Sequence, residues 1–290
     1  RNVESDSALR KNTKTSNNLP EEDSNDISVL KKELENMYND LNNLQPTTKR
    51  SLDQRNEFKK MLTALEDLNV EQLNNLYTSV SDDPHLHDLM LDITLLTNSP
   101  KAYCLITKLI ENQKLTENES MNLLTKMSEN PIQLTECLEK DIMKLAYDEQ
   151  SSKKKIRHQA IITLASMIRA STDKDKYEHI VKGFIKNLQD SKLESEQAIY
   201  VYALQNADTF KSRLELIDIA LGIDEEYKEL SGHIRALAAN CIKYEQFRGF
   251  LIQNLIDNGK QDFEVRATVL HVLLDSIDKE QSSDIISNLL

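Results

Sequence analysis

From Ile27 onward the chain is a near-continuous succession of apolar stripes spaced three and four residues apart, broken only by short polar elbows. In the first block, 27–44, the residues Leu30, Leu34, Met37, Tyr38, Leu41 and Leu44 fall on one face of a helix that Pro46 ends. The next, about 51–68, carries Leu52, Phe58, Met61, Leu62, Leu65 and Leu68 on its stripe. VEQLNNLYTSV follows at once and stops near Asp82-Asp83-Pro84. No convincing segment alternates with the period of two that a half-buried strand shows. Stripes of this kind are buried by stacking helix on helix, so the pattern predicts an all-α fold. Composition agrees: 290 residues include 5 Gly, 5 Pro and no Trp, too few turn formers for a β architecture or a Gly-loop enzyme.

The stretch LLTNSPKAYCLITKLIENQKLTENESMNLLTKM, 95–127, shows how the elbows work. A helix over 85–97 ends at Asn98, and Pro100 sits in the first turn of the next, where a missing N–H is no loss. That helix shows Tyr103, Leu105, Ile106, Leu109 and Ile110. Thr116-Glu117-Asn118-Glu119 then matches a capping box, although Ser120 is polar where a hydrophobic staple with Leu115 would need an apolar partner. Further helices are predicted at about 131–147, 153–170, 175–189, 193–206, 209–221, 229–243, 245–258, 262–276 and 281–290, about fourteen in all.

Three segments share a loose pattern: KIRHQAIITLASMI, HIRALAANCI and EVRATVLHVLL, with Arg157, Arg235 and Arg266 each one residue after a β-branched residue. A fourth, SEQAIYVYAL, fills the first gap without the Arg. The resulting intervals of roughly 31–40 residues match the helix pairs of HEAT-like solenoids, in which each pair buries its apolar surface on the next. Residues 27–290 are therefore expected to form one α-helical solenoid. Residues 1–26 hold almost no large apolar side chain and are expected to be a disordered polar linker. The chain starts at Arg1 without Met and ends at ISNLL without a cap, so it reads as a piece of a longer polypeptide.

Chemistry is hard to place on this pattern. Five scattered glycines make no phosphate loop, and no G-x-S-x-G elbow presents a nucleophile. Acidic runs such as Asp224-Glu225-Glu226 sit beside turns, where solvated faces are expected rather than a desolvated general acid. The six histidines are His85, His87, His158, His179, His233 and His271. His85 and His87, followed by Asp88, stand two apart at a helix start and point to different sides, which argues against a shared metal. His271 lies among apolar residues and reads as a hydrogen-bonded core histidine. No catalytic residue, metal ligand or cofactor is assigned.

A net charge of −12 argues against nucleic acid, and the longest basic cluster, Lys153-Lys154-Lys155 with Arg157, reads as the solvated start of a helix. No run of about 18 apolar residues spans a membrane. Cys104, Cys137 and Cys241 form no C-x-x-C pattern; they read as buried free thiols, or, in an oxidising compartment, with Cys104 and Cys137 bridged. Asn118-Glu119-Ser120 is an N-glycosylation sequon, with Asn118 as acceptor if the chain enters the secretory route.

Three motifs in order resemble the α-helical superhelix domain of the large lipid transfer proteins: vitellogenins, apolipophorins, apolipoprotein B and microsomal triglyceride transfer protein. EFKKMLTALEDLNVEQLNNLYTSV, 57–80, is similar to that family's early helix pair. Asn98-Ser99-Pro100, the stretch 105–111 and Leu115-Thr116-Glu117-Asn118-Glu119 are similar to its Pro elbow, helix and Leu-Ser/Thr-x-x-Glu start. DFEVRATVLHVLLDSI is similar to its late Val-Arg helix. The resemblance covers nearly all of 27–290. It implies a two-layered, right-handed horseshoe of about 14–17 helices that wraps the lipid-bearing β-sheets of its own polypeptide. It also implies a non-enzymatic scaffold in a secreted or endoplasmic-reticulum-lumen lipid carrier, its lipid held by flanking sheets this chain lacks. A receptor or protein disulfide isomerase is an implied partner; the lipid-facing residues are unknown. A microsomal triglyceride transfer subunit is the alternative within the family, and a cytosolic HEAT-like protein-binding scaffold the alternative outside it.

Overall fold

The computed structural model describes residues 21–42, 48–148, 153–209, 211–213 and 215–216. Among the described residues, ten α-helices, one 3-10 turn and helical residues at 211–213 and 215–216 account for the regular structure, with no strand, in accord with the all-α expectation. The predicted helices from about 229 onward lie outside the described residues, as do Cys241, His233, His271, Arg235, Arg266 and the run Asp224-Glu225-Glu226. The chain divides into two compact units, Arg1–Ile93 and Thr94–Leu290.

The first unit is built on α1 (Glu21–Asn42), α2 (Thr48–Asp67) and α3 (Val70–Val80), with α4 (Pro84–Leu96) following. Helix α1 opens before the first stripe residue, because apolar periodicity registers a helix only where it packs. It packs on both α2 and α3. Leu34, Leu65, Leu73 and Leu76 are fully buried there, as the stripes require. Asn69 caps α3: its side chain accepts from the Gln72 N–H at 2.9 Å, and the Gln72 side chain accepts from the Asn69 N–H at 3.0 Å. The Lys31 ammonium donates to the Ser79 carbonyl at 2.8 Å, tying α1 to the last turn of α3.

In the second unit α5 (Pro100–Glu111), α6 (Glu117–Glu129), α7 (Glu136–Tyr147) and α8 (Lys154–Ala170) are followed by a 3-10 turn (Asp175–Tyr177), α9 (Glu178–Asp190) and α10 (Glu194–Ala207). Contacts join each helix to the next or the next but one. Helix α5 packs on α6 and α7, α6 on α8, α7 on α8, α8 on α10, and α9 on α10. Neighbours in sequence thus form hairpins while alternate helices lie side by side, which sorts the helices of this unit into two layers. KIRHQAIITLASMI is α8 and SEQAIYVYAL falls in α10, so these two segments of the repeat pattern pack directly on one another.

Helix α8 is enclosed along much of its length. Ile156, Ala160, Ile161, Thr163, Leu164, Ala165, Ser166, Met167 and Ile168 are all buried. Small residues among them let neighbouring backbones approach. The Thr163 hydroxyl lies 2.9 Å from the Leu124 carbonyl of α6 and 2.8 Å from its own Gln159 carbonyl, so a buried polar atom is satisfied across the layer.

Among the described residues, the elbows end helices without glycine. Positive φ occurs at Asn98 (50°), Gln113 (55°) and Asp208 (50°), the left-handed region usually left to Gly. Gln113 terminates α5 in a Schellman motif: the Lys114 N–H donates to the Leu109 carbonyl at 2.9 Å and the Gln113 N–H to the Ile110 carbonyl at 3.0 Å. Between α6 and α7 the structure departs from the periodicity reading. A helix is expected from about 131, yet α7 opens at Glu136 behind the cap Thr135. Pro131 follows Asn130, and Ile132 and Leu134 are buried with exposed Gln133 between them, an extended alternation. Side chains from elsewhere hold this segment. The Tyr103 hydroxyl donates to the Asn130 carbonyl at 2.6 Å, the Tyr177 hydroxyl to the Leu134 carbonyl at 2.6 Å, and the Leu134 N–H to the Ser171 hydroxyl at 3.1 Å.

Candidate functional site

Two places in the second unit bring together residues singled out in the sequence: a thiol pair between α5 and α7, and the first turn of α6.

Cys104 lies in the middle of α5, 3% exposed, and Cys137 in the exposed first turn of α7. Because α5 and α7 are alternate helices lying side by side, residues 33 apart in sequence meet, with the two Sγ atoms 3.1 Å apart. Asp141, one turn on in α7, places a carboxylate oxygen 3.8 Å from the Cys137 sulfur. Burial pushes the Cys104 thiol up to about 12, with the hydrogen bond and charge of Cys137 and the charge of Asp141 adding to it and Lys108 opposing. Burial likewise raises the Asp141 carboxyl, with Lys108 pulling the other way. A thiol held this firmly protonated is a poor nucleophile at neutral pH.

Donor atoms of Cys104, Cys137 and Asp141 all lie within 4.8 Å of one another, so the set could be read as a metal site. Two thiolates on one tetrahedral zinc stand about 3.7 Å apart, from Zn–S bonds of about 2.3 Å. The 3.1 Å separation is closer than that, and a metal would require deprotonating the buried thiol. The geometry suits a thiol–thiol pair better than a metal centre.

At the start of α6 the capping box is present in full. The Thr116 hydroxyl accepts from the Glu119 N–H at 3.3 Å and the Glu119 carboxylate from the Thr116 N–H at 2.7 Å. Asn118 is the second helical residue and exposed. Ser120, at the position where a staple partner would sit, is 1% exposed and donates its hydroxyl to the Thr116 carbonyl at 2.8 Å. Burial of that position is kept by satisfying the hydroxyl locally.

The basic cluster is engaged by acidic first turns. Lys153 and Lys155 face Glu117 of α6 at 2.9 and 4.0 Å, and Lys154 faces Glu196 of α10 at 2.9 Å. The hydrogen bond from Lys153 holds the Glu117 carboxyl below its usual range, and Lys154 does the same for Glu196. A hydrogen bond from Lys182, with Lys211 adding its charge, lowers Glu178 at the start of α9. Further pairs join α5 to α7 through Glu111 and Lys144, and α7 to α9 through Glu139 and His179 at 3.2 Å. His158 beside this row is held below the ordinary imidazole range by burial first and by Lys154 second. These lysines neutralise carboxylates that stand in the first turns of α6, α9 and α10.

In the first unit His85 and His87 have separate environments. His85 stacks on Tyr38 with ring centroids 5.3 Å apart, while the His87 Nε2 lies 3.0 Å from the Tyr77 hydroxyl and its Nδ1 3.2 Å from Asp88. Among the described residues no helix is long and apolar enough to cross a membrane. What sequence reasoning missed is the trio Tyr103, Ser171 and Tyr177 that holds the elbow at 130–135; buried Tyr and Ser are its only sequence trace.

Comparison with known proteins places these features. The family described as the Vitellogenin TPR domain matches residues 28–289. Among solved structures, one concerned with lipid–protein interactions in lipovitellin superposes with a TM-score of 0.70 at 15% identity, over 96% of this chain. The chain spans 29% of the lipovitellin chain it matches. No curated protein sequence matches.

Proposed function

This chain belongs to the Vitellogenin TPR domain family, and on that premise we propose that it is the helical scaffold domain of a lipid carrier. The observation that carries the reading is the conjunction of the family match over 28–289 with a fold shared with lipovitellin over 96% of the chain. In this reading the helices wrap lipid-binding sheets of a longer parent polypeptide, and the domain has no active site of its own. The hairpin-and-layer packing of the second unit suits the role, because helices stack on their neighbours with few demands on any single residue. Family membership favours this carrier over the HEAT-like adaptor.

The scaffold is proposed to work in the secretory route, as part of a secreted protein or one of the endoplasmic reticulum lumen. Cys104 and Cys137 support that placement, since an oxidising compartment would join two sulfurs already 3.1 Å apart into a staple between α5 and α7. A receptor or protein disulfide isomerase is the proposed kind of protein partner, and no lipid-facing residue is assigned.

The test is lipid loading. The chain and its parent are purified in parallel, extracted, and their neutral lipid and phospholipid measured per mole of protein. The expected result is lipid on the parent and little on this chain alone. Stoichiometric neutral lipid on the chain by itself would show that it is a container rather than a scaffold.

A further inference from the structure

We infer that Asn118 carries an N-linked glycan added before α6 forms, an inference resting on the secretory reading above. Asn118, Glu119 and Ser120 are an N-x-S sequon. Transfer joins the Asn118 Nδ2 to the anomeric carbon of a lipid-diphosphate-linked oligosaccharide. The bond from that carbon to the diphosphate oxygen breaks, the lipid diphosphate leaves, and the amide proton passes to the transferase. The enzyme must hold the asparagine amide and the hydroxyl two residues on in one site.

The folded chain cannot offer both. In α6 these residues are two apart at about 100° per residue, so they point to opposite sides of the helix. Asn118 is exposed, whereas Ser120 is 1% exposed with its hydroxyl on the Thr116 carbonyl at 2.8 Å. An extended nascent segment presents amide and hydroxyl freely, and only there can the sequon be read.

The fold then tolerates the product. Asn118 takes no part in the cap: Thr116 and Glu119 satisfy each other, and Glu117 is turned to Lys153 at 2.9 Å. A sugar on Asn118 projects from the first turn into solvent without displacing any of these bonds. The Asn118 side of that first turn is thereby marked as open to water.

The chain is translated behind a heterologous signal peptide in the presence of microsomes. A single gel shift, removed by endoglycosidase H and absent in N118Q, is the expected result; an unshifted, translocated chain overturns the site. For the order of events, the folded chain and a peptide spanning 112–124 are offered to detergent-solubilised transferase with its lipid-linked donor. The peptide should be modified and the folded chain not; equal modification of both overturns the requirement for an unfolded sequon. Fractionation of the native protein tests the secretory reading separately, since a cytosolic location would sink that reading while the microsome result still judges the sequon.

Discussion

Closing the Cys104–Cys137 bond should strengthen the second unit substantially and by an identifiable route. The cysteines are 33 residues apart in sequence, so the bond closes a loop of about that length in the unfolded chain. Loop-closure entropy for that length corresponds to roughly 3–4 kcal/mol at room temperature. A domain of this size moves by about 2 °C in Tm per kcal/mol, giving a rise of roughly 6–8 °C on oxidation. The route follows from exposure. Cys137 is accessible, while the Cys104 thiol is buried and pushed up to about 12, so an external disulfide should meet Cys137 first. Attack by Cys104 on that mixed disulfide is then the slow step, favoured by the 3.1 Å approach of the two sulfurs and opposed by its protonation. With oxidised glutathione, C104S should therefore accumulate a glutathione adduct at Cys137, and C137S should react far more slowly. The assay is peptide mapping under non-reducing conditions, with thermal unfolding followed by far-ultraviolet circular dichroism. A bond that forms without raising Tm, or a pair that stays reduced in a glutathione buffer poised like the endoplasmic reticulum, would refute the reasoning.

Other perturbations test the elbows and the ion-pair row. Y177F removes the hydroxyl from the Leu134 carbonyl and should cost about 1–3 kcal/mol by urea unfolding; a loss under about 0.5 kcal/mol would mean that the 130–135 segment is held by packing alone. Q113G relieves a left-handed residue at φ 55° and should stabilise by about 1 kcal/mol, with no change or a loss counting against the strain. Glu117, Glu178 and Glu196 are held below their usual range by lysines, so their contribution is present above the unfolded carboxylate range and is lost as pH falls through their folded values. The urea midpoint should drop in that acid window, and less so in high salt; a salt-independent drop would point elsewhere. His158 is held below the imidazole range, so the unfolded chain binds its proton first and stability should decline as pH falls through about 6.5. H158Q should flatten that part of the profile, and an unchanged slope would assign it to another group.

Helix identity was legible because it is written locally. The stripe of Leu30 and Leu34, the box of Thr116 with Glu119 and the Pro at the start of α5 need only neighbours a turn away. The same locality explains the misreading at 131–135. Pro131 and the alternation of Ile132 and Leu134 compete with helix, and the balance is struck by Tyr103, Ser171 and Tyr177, which reach the segment only once the helices have packed. The basic run at Lys153-Lys154-Lys155 is likewise undecided in one dimension, since its partners Glu117 and Glu196 lie tens of residues away on either side.

By itself, then, the amino-acid order determined an all-α chain with named caps and stripes, because hydrophobic period and capping are short-range physics. Only the tertiary structure decided that Cys104 meets Cys137, that Ser120 is sealed while Asn118 faces water, and that the lysines of α8 are spent on neighbouring helix starts. Those outcomes depend on which helices lie side by side, and that pairing is set by burial of whole faces rather than by any local signal.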